Sequence, residues 1–279
     1  MNHTVACYRT KLWYFCFYCL TTGYATAAPN TEAWAFWAKD NPASTRQVDP
    51  SAWQSFLDQY LAPQPDGVNL VAYNRVSQGE GRTALQTYLQ TLADIDPRNL
   101  ARNEQFAYWV NLYNALTVEV VLSNPGKKTI RRMGKGLFSF GPWDDNLITI
   151  AGEDVTLNDI EHRILRPIWQ DPRIHFAVNC ASLGCPNLQP QAFRADNLEE
   201  MLDAAQDEYI NHPRGVDNQS GSLVLSSIFE WYQSDFAADP KGLLRYLARV
   251  HQTPEFLLTA EPERINYDYD WTLNSLVPR

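Results

Sequence analysis

The 279-residue chain has few cysteines, little positive charge and no long apolar run, and each shortage excludes a class of protein. It has 23 Lys and Arg against 32 Asp and Glu, so its net charge of −9 opposes the electrostatic attraction that nucleic-acid binding needs. No apolar run approaches the roughly 18–20 residues that span a bilayer, so we do not expect an integral membrane protein. Aromatic residues are abundant, and the 9 Trp, 14 Tyr and 12 Phe predict a folded chain.

The first 27 residues have the pattern of a secretory signal. Two basic residues precede the apolar run Leu12–Leu20, and Ala25-Thr26-Ala27 offers a small-x-small cleavage site. The alternative is a buried aromatic helix at the N-terminus. A signal predicts a periplasmic or secreted protein, cleaved near Ala27, that keeps two of its five cysteines.

The periodicity of apolar residues predicts a single helix-rich domain of the α+β class. The strongest helix signal covers Asn103–Ser123, where apolar residues recur every three or four positions in one stripe. Further helical segments are predicted over 49–61, 83–92, 156–168, 196–211, 226–236 and 241–250. Short strands are predicted over 68–73, 147–150, 173–179, 223–225 and 264–267, and we expect them to form a small, mostly antiparallel sheet. We divide the chain into a signal peptide (1–27), a lead-in with the first helix (28–64) and the main domain (65–275).

The most informative segment is His175–Pro186, where a predicted strand ends at Cys180 and a turn of small residues follows. A thiol at the end of a strand can project into a cleft while nearby backbone N–H groups stay available for an oxyanion. This interpretation makes Cys180 a nucleophile and places the oxyanion at the turn residues Ala181, Ser182 and Gly184.

Cys180 and Cys185 have two further interpretations. The four residues between them form a loop that a disulfide closes readily, and an exported protein can keep such a bond. The pair can also cycle between thiol and disulfide, although its spacing is not the C-x-x-C of thioredoxin-like proteins. Two cysteines supply only two metal ligands, so we expect neither a metal nor another cofactor.

A nucleophilic thiol needs a base, and His162 is the candidate. It lies beside Glu161 on a predicted helix that leads directly into the cysteine strand; the alternative is a core histidine bonded to a backbone carbonyl. His175 is a poorer candidate on this prediction. Five extended residues would separate it from Cys180 by roughly 16 Å and place the two side chains on opposite faces.

Polar residues among apolar ones supply the remaining candidates. Asn111 and Asn114 lie inside the central predicted helix, and each either anchors a loop or orients a catalytic group. Near the C-terminal end of the domain, Asp268 or Asp270 is a candidate to orient an imidazole. The alternative is that this segment has no catalytic role and is held in place by the packing of Trp271.

Five segments, in this order, resemble one family: FAYWVNLYNALTVEVVL, TLNDIEHRILRP, DPRIHFAVNCASLGCPNL, LSSIFEWYQSDF and INYDYDWTLN. They are similar to the domain-of-unknown-function family 547, found in bacterial exported proteins and in plant proteins, over roughly residues 65–275. The resemblance implies that Cys180 and the pair Glu161-His162 belong to the family pattern, whereas Cys185 is often replaced, which favours a lone functional thiol. It also implies a distant affinity to papain-like and transglutaminase-like cysteine hydrolases, here with the histidine before the cysteine in the chain.

The sequence therefore predicts an exported, cysteine-dependent acyl-transfer hydrolase of the amidase or peptidase kind, acting on a small-molecule or peptide substrate. Cys180 attacks a carbonyl, His162 takes and returns the proton, and Asn114 or Glu161 orients the imidazole. The alternative is a non-catalytic periplasmic binding or scaffold module with a structural Cys180–Cys185 disulfide. We expect no nucleic-acid partner and no stable membrane insertion.

Overall fold

The computed structural model describes residues 31–136, 140–218 and 222–276, so the predicted signal peptide lies outside the described residues. Helices α1 to α11 are Ser51–Tyr60, Tyr73–Gln78, Gly81–Ala93, Arg102–Leu122, Arg166–Trp169, Ile174–Ala177, Leu198–Ile210, Ser227–Trp231, Gln233–Phe236, Pro240–Ala248 and Glu255–Thr259. A π-helix, Asp159–Leu165, runs directly into α5. Strands β1 to β7 are Leu61–Pro63, Asn69–Val71, Ile148–Ile150, Glu153–Val155, Val216–Asp217, Val224–Ser226 and Asn266–Asp268.

The strands form three small sheets. β1 pairs with β2, and β3 with β4, as antiparallel two-stranded sheets. In the third sheet β6 lies between β5, which is antiparallel to it, and β7, which is parallel. The predicted α+β class with a small, mostly antiparallel sheet is confirmed, although the sheet is divided into three. The papain-like or transglutaminase-like architecture stays a prediction.

Helix α4 is the centre of the larger of two apolar cores and is buried along almost its whole length. The sequence predicts one apolar stripe, but buried residues surround the helix on every side, as expected for a helix enclosed by other elements. Helix α3 and the π-helix pack against it. The lead-in segment covers it as well, since the rings of Trp37 and Trp109 meet edge to face at 5.1 Å.

A second, smaller core contains a cluster of aromatic rings from four helices. Phe176 of α6, Tyr209 of α7, Phe229 of α8 and Phe236 of α9 pack with ring centroids 5.2–6.3 Å apart. The two cores meet at α6, because Ile174 belongs to the first and Phe176 to the second. The turn that follows α6 therefore lies where the two cores join.

The prediction of a strand over 173–179 is wrong, because this segment contains the one-turn helix α6. The Asp171 carboxylate accepts the Arg173 amide at 2.9 Å, and the Asp171 carbonyl accepts the Ile174 amide at 3.2 Å, so the chain turns here instead of extending. All four residues of α6 are buried, so the strand-like alternation of the sequence does not mark one exposed face. The separation of roughly 16 Å between His175 and Cys180, which assumed extended backbone, no longer applies.

Residues 266–276, here called the C-terminal segment, cross the fold beside the cysteine turn. After β7, the Leu183 amide donates to Thr272 O and the Gly184 amide to Asp270 O, both at 2.8 Å. A Cβ atom on Gly184 would lie 2.7 Å from the Asp270 nitrogen, so only glycine permits this close approach. Among the described helices, none has both the length and the hydropathy to cross a bilayer.

Candidate functional site: a half-buried thiol beside a buried charged network

The turn that carries Cys180 is tightly fixed. Cys180 is half-buried, and the next residue, Ala181, has a φ of 60°, a left-handed conformation that non-glycine residues rarely adopt. The Asn179 side-chain oxygen accepts the Ala181 amide at 2.9 Å, and the Asn274 amide donates to the Ala181 carbonyl at 3.0 Å. Strained backbone persists where its surroundings over-determine it, and such places cluster at functional sites.

The two buried asparagines of α4 hold loops. Asn114 donates to Ala177 O at 3.0 Å and accepts the Asn179 amide at 2.8 Å, so it fixes the backbone just before Cys180. Asn111 makes the same pair of bonds with the backbone of Phe193, at 2.8 and 3.1 Å. Both side chains therefore act as loop anchors. Asn114 therefore affects the site indirectly, because it fixes the position of the turn that carries Cys180.

Two hydroxyl groups flank the Cys180 sulfur. Tyr269 Oη lies 3.0 Å from Cys180 Sγ, Ser182 Oγ lies 3.2 Å from it, and the two hydroxyl oxygens are 2.9 Å apart. On the other side, Cys185 Sγ accepts the Cys180 amide at 3.0 Å. Both cysteines are free thiols in this structure, so the disulfide is not formed.

These contacts shift the pKa values of the two thiols in opposite directions. Hydrogen bonding to the Cys185 side chain lowers the pKa of Cys180; burial opposes it, Ser182 and Tyr269 lower it further, and the Glu161 charge raises it. Burial raises the pKa of Cys185 and that of the Tyr269 phenol well above their ordinary values. Cys180 is therefore the group that ionises first, and its neighbours keep their protons.

A buried carboxylate, Glu161, lies between two imidazoles. Its Oε1 atom is 3.7 Å from His175 Nδ1 and 4.0 Å from His162 Nδ1, and Tyr113 donates to its Oε2 at 3.1 Å. Glu161 and His162 both belong to the π-helix. Such helices are rare and often occur at functional sites, because the wider turn changes which side chains share a face.

Asp235 and Arg166 complete this charged network. Arg166 Nε and Nη2 donate to the two Asp235 oxygens at 2.6 and 3.0 Å, and His175 Nε2 lies 2.8 Å from the same carboxylate. Burial alone would raise the pKa of Asp235, but the hydrogen bonds from His175 and Arg166 hold it well below the ordinary value. Arg166 Nη1 lies 3.1 Å from His162 Nδ1. Burial lowers the pKa of His162, which favours a neutral ring that accepts this bond.

The structure brings some of the predicted site residues together and keeps others apart. Cys180 and the predicted turn residues lie together at one place, and Glu161 and His162 lie together at a second place in the charged network. Within the described part of the chain, no hydrogen bond joins His162 to the thiol, and the network acts on Cys180 through the charge of Glu161. The Asp270 carboxylate accepts the amide of Thr272, as expected for a tail-fixing residue.

Most of the turn amides already have acceptors. The Cys180 and Ala181 amides donate to side chains of the same turn, and the amides of Leu183 and Gly184 donate to the C-terminal segment. Among the described residues, the Ser182 amide is the exception. The predicted oxyanion donors at Ala181 and Gly184 are therefore engaged elsewhere.

Four residues of the site are missing from the sequence prediction: Tyr113, Arg166, Asp235 and Tyr269. The sequence does contain a signal for Tyr269: residues 266–272 alternate between polar and aromatic side chains, and in the structure the polar ones are exposed and the aromatic ones half-buried. The other three look like ordinary helix positions in the sequence. In the described ranges, no three His, Cys, Asp or Glu side chains are grouped as a metal site requires.

Fold and site together define a helix-rich α+β domain in which a half-buried thiol lies beside a buried network of carboxylates, imidazoles and a guanidinium. Residues 97–210 match the family described as protein of unknown function, DUF547, so the chain carries a domain of this family, as its motifs predict. The match lies within the predicted span of 65–275. Neither the curated proteins nor the solved structures provide a match to the chain.

Proposed function

We propose that the protein is an exported cysteine-dependent acyl-transfer hydrolase, of the amidase or peptidase kind, with Cys180 as its nucleophile. One observation carries the proposal: Cys180 is a half-buried thiol of lowered pKa, held on a strained turn that its neighbours fix in place. A thiolate is the nucleophilic form of cysteine, and a lowered pKa increases the fraction of thiolate at a given pH. Purely structural cysteines are normally buried and inert.

In this proposal the Cys180 thiol loses its proton before it attacks a substrate carbonyl. We assign the role of proton acceptor to His162, which lies in the buried network with Glu161. Among the described residues no hydrogen bond joins its imidazole to the thiol, so the proton transfer requires the two groups to approach each other. Asn114 keeps the attacking sulfur in place by fixing the backbone on its N-terminal side. The nucleophile is then held before the reaction begins, which is what efficient catalysis requires.

The test measures acylation of the purified full chain by p-nitrophenyl acetate, an activated ester that acylates reactive thiols. We expect a burst of p-nitrophenolate and one acetyl group on Cys180 by intact mass and peptide mapping in wild type, and a slower burst at the same residue in Cys185→Ala, which lacks the hydrogen bond that lowers the Cys180 pKa. Cys180→Ala should show neither while keeping its fold by circular dichroism. Wild type without a burst, or a burst of the same size in Cys180→Ala, would overturn the proposal.

A second candidate is a non-catalytic binding or scaffold module with a Cys180–Cys185 disulfide. The observation that favours it is the short distance of 3.0 Å between Cys185 Sγ and the Cys180 amide nitrogen, which places both sulfurs on one turn. Intact mass of periplasmically expressed protein, without reductant, separates the two functions. A mass lower by two hydrogens favours the module, and the same spectrum reports whether residues 1–27 are removed.

A further inference from the structure

An acyl-transfer site needs hydrogen-bond donors for the oxyanion that forms when the nucleophile adds to a carbonyl. These donors are effective when they are in place before the reaction and lie about 2.7–3.1 Å from the oxyanion. In many hydrolases they are backbone amides next to the nucleophile. Here the amides of Ala181, Leu183 and Gly184 already donate to acceptors within the protein, so among the described residues of the turn only the Ser182 amide stays available, and further donors have to be side chains.

The hydroxyl groups of Tyr269 and Ser182 occupy the place that such donors would take. They lie 3.0 and 3.2 Å from Cys180 Sγ and 2.9 Å from each other, so the sulfur and the two oxygens form a nearly equilateral triangle. The oxygen of a tetrahedral adduct is only two bonds from the sulfur. Donors within reach of the sulfur are therefore also close to the oxyanion that forms beside it.

Tyr269 is also held rigidly. Its ring packs against both Trp231, at a centroid distance of 4.9 Å, and Trp271, at 4.6 Å. A hydroxyl on a fixed ring points in one direction at little entropic cost, as a preorganised donor should. Burial raises the pKa of Tyr269, so the phenol stays protonated and able to donate at neutral pH.

We infer that Tyr269 and Ser182 are catalytic residues whose hydroxyl groups stabilise first the Cys180 thiolate and then the oxyanion, an inference that rests on the proposed function of Cys180. The thiolate lone pair forms the S–C bond, and the carbonyl π pair moves to oxygen, which accepts hydrogen bonds from Tyr269 and Ser182 without proton transfer. Collapse re-forms the C=O bond and expels the leaving group with its bonding pair. Water then hydrolyses the thioester, which returns the thiol and releases the acid.

The experiment compares Tyr269→Phe and Ser182→Ala with Tyr267→Phe in the full chain. Tyr267 is a matched control, because it lies two residues earlier on the same face of the segment and is not a hydrogen-bond partner of Cys180 among the described residues. Two readouts are taken: the pH dependence of Cys180 alkylation by iodoacetamide, and the rate of the p-nitrophenyl acetate burst. Melting temperature checks that each variant is folded.

We expect Tyr269→Phe to slow the burst by about 100-fold, the usual cost of one oxyanion donor, and to move the alkylation midpoint to higher pH. Ser182→Ala should change both readouts in the same direction, and Tyr267→Phe should change neither. A normal burst and a normal alkylation profile in folded Tyr269→Phe would overturn this inference and leave the proposed function standing. If wild type gives no burst, the proposed function fails, and the alkylation profiles alone decide whether the hydroxyls stabilise the thiolate.

Discussion

Replacing Asp235 by Asn tests the buried network directly, because it removes one charge and keeps the shape of the side chain. Asp235 is 21% exposed, and its partner Arg166 is only 5% exposed. The carboxylate accepts two hydrogen bonds from Arg166 and one from His175. After the substitution, the buried guanidinium would lose the negative charge of Asp235.

The expected loss follows from these contacts. A hydrogen bond to a charged group contributes about 1.5–3 kcal/mol, and the amide that replaces the carboxylate has only one acceptor oxygen, so it would retain only part of this set. Removing one partner of a buried ion pair generally costs about 3–5 kcal/mol. We therefore expect Asp235→Asn to lower the free energy of unfolding by about 3–5 kcal/mol at pH 7.

Urea unfolding followed by tryptophan fluorescence measures this value. Asp203→Asn is the matched control: Asp203 accepts from Arg173 at 2.7 Å, but its side chain is 72% exposed. An exposed ion pair contributes only about 0–1 kcal/mol, so this variant should stay close to wild type. Equal losses in the two variants would refute the argument that burial decides the value of the pair.

The pH dependence gives a second check with a definite sign. The folded-state pKa of Asp235 lies well below its ordinary value, which is about 3.9 in the unfolded chain. Its stabilisation is therefore fully present above about pH 4 and is lost as pH falls through the folded pKa. The gap between wild type and Asp235→Asn should be constant from pH 5 to 8 and narrow below pH 4. A gap that does not change with pH would contradict the assignment.

Three further predictions concern the turn and the imidazole. Gly184→Ala should lower the free energy of unfolding, measured in urea, by about 1–3 kcal/mol, because the new Cβ would lie 2.7 Å from the Asp270 nitrogen. Gly79→Ala is the control: the nearest atom to its Cβ is at 3.6 Å, so the change should be less than about 1 kcal/mol. Asn114→Ala should cost about 2–4 kcal/mol in the same assay, because a buried backbone N–H and C=O lose their partner; a cost below about 1 kcal/mol would show that water replaces it. Burial lowers the pKa of His162, so wild type should lose stability as pH falls below about 6.5, and His162→Gln should remove that part of the slope; an unchanged slope between pH 5 and 7 would contradict this.

The long elements could be predicted because many residues contribute to each signal. The central helix is predicted over Asn103–Ser123 and observed over Arg102–Leu122, and the helix predicted over 196–211 is observed over Leu198–Ile210. The start of the helix predicted over 156–168 carries a local signal, because Thr156 and Asp159 have the spacing of a capping box. The structure contains it: the Asp159 amide donates to Thr156 Oγ1 at 3.0 Å and the Thr156 amide to the Asp159 carboxylate at 3.0 Å. One-turn helices such as α6 carry too few residues for periodicity to identify them.

The candidate site was predictable only in its local part. The cysteine turn is visible as a run of small residues around Cys180, but Tyr269 lies 89 residues further along the chain, and only tertiary packing brings it to the sulfur. Asp235 follows a break at Tyr232 that divides the single helix predicted over 226–236 into α8 and α9. The π-helix is equally hidden, because the sequence pattern of a widened turn differs little from that of an α-helix.

The crossing of the C-terminal segment beside the turn has a consequence for biosynthesis. At about 5–20 residues per second, roughly 4–18 s pass between the synthesis of Cys180 and that of Tyr269. Until then, the Leu183 and Gly184 amides lack their acceptors and the thiol lacks a phenol beside it. A nascent chain therefore holds an unfinished reactive centre. A fragment cut to residues 97–210 would hold it permanently, so an expressed domain has to extend to residue 276.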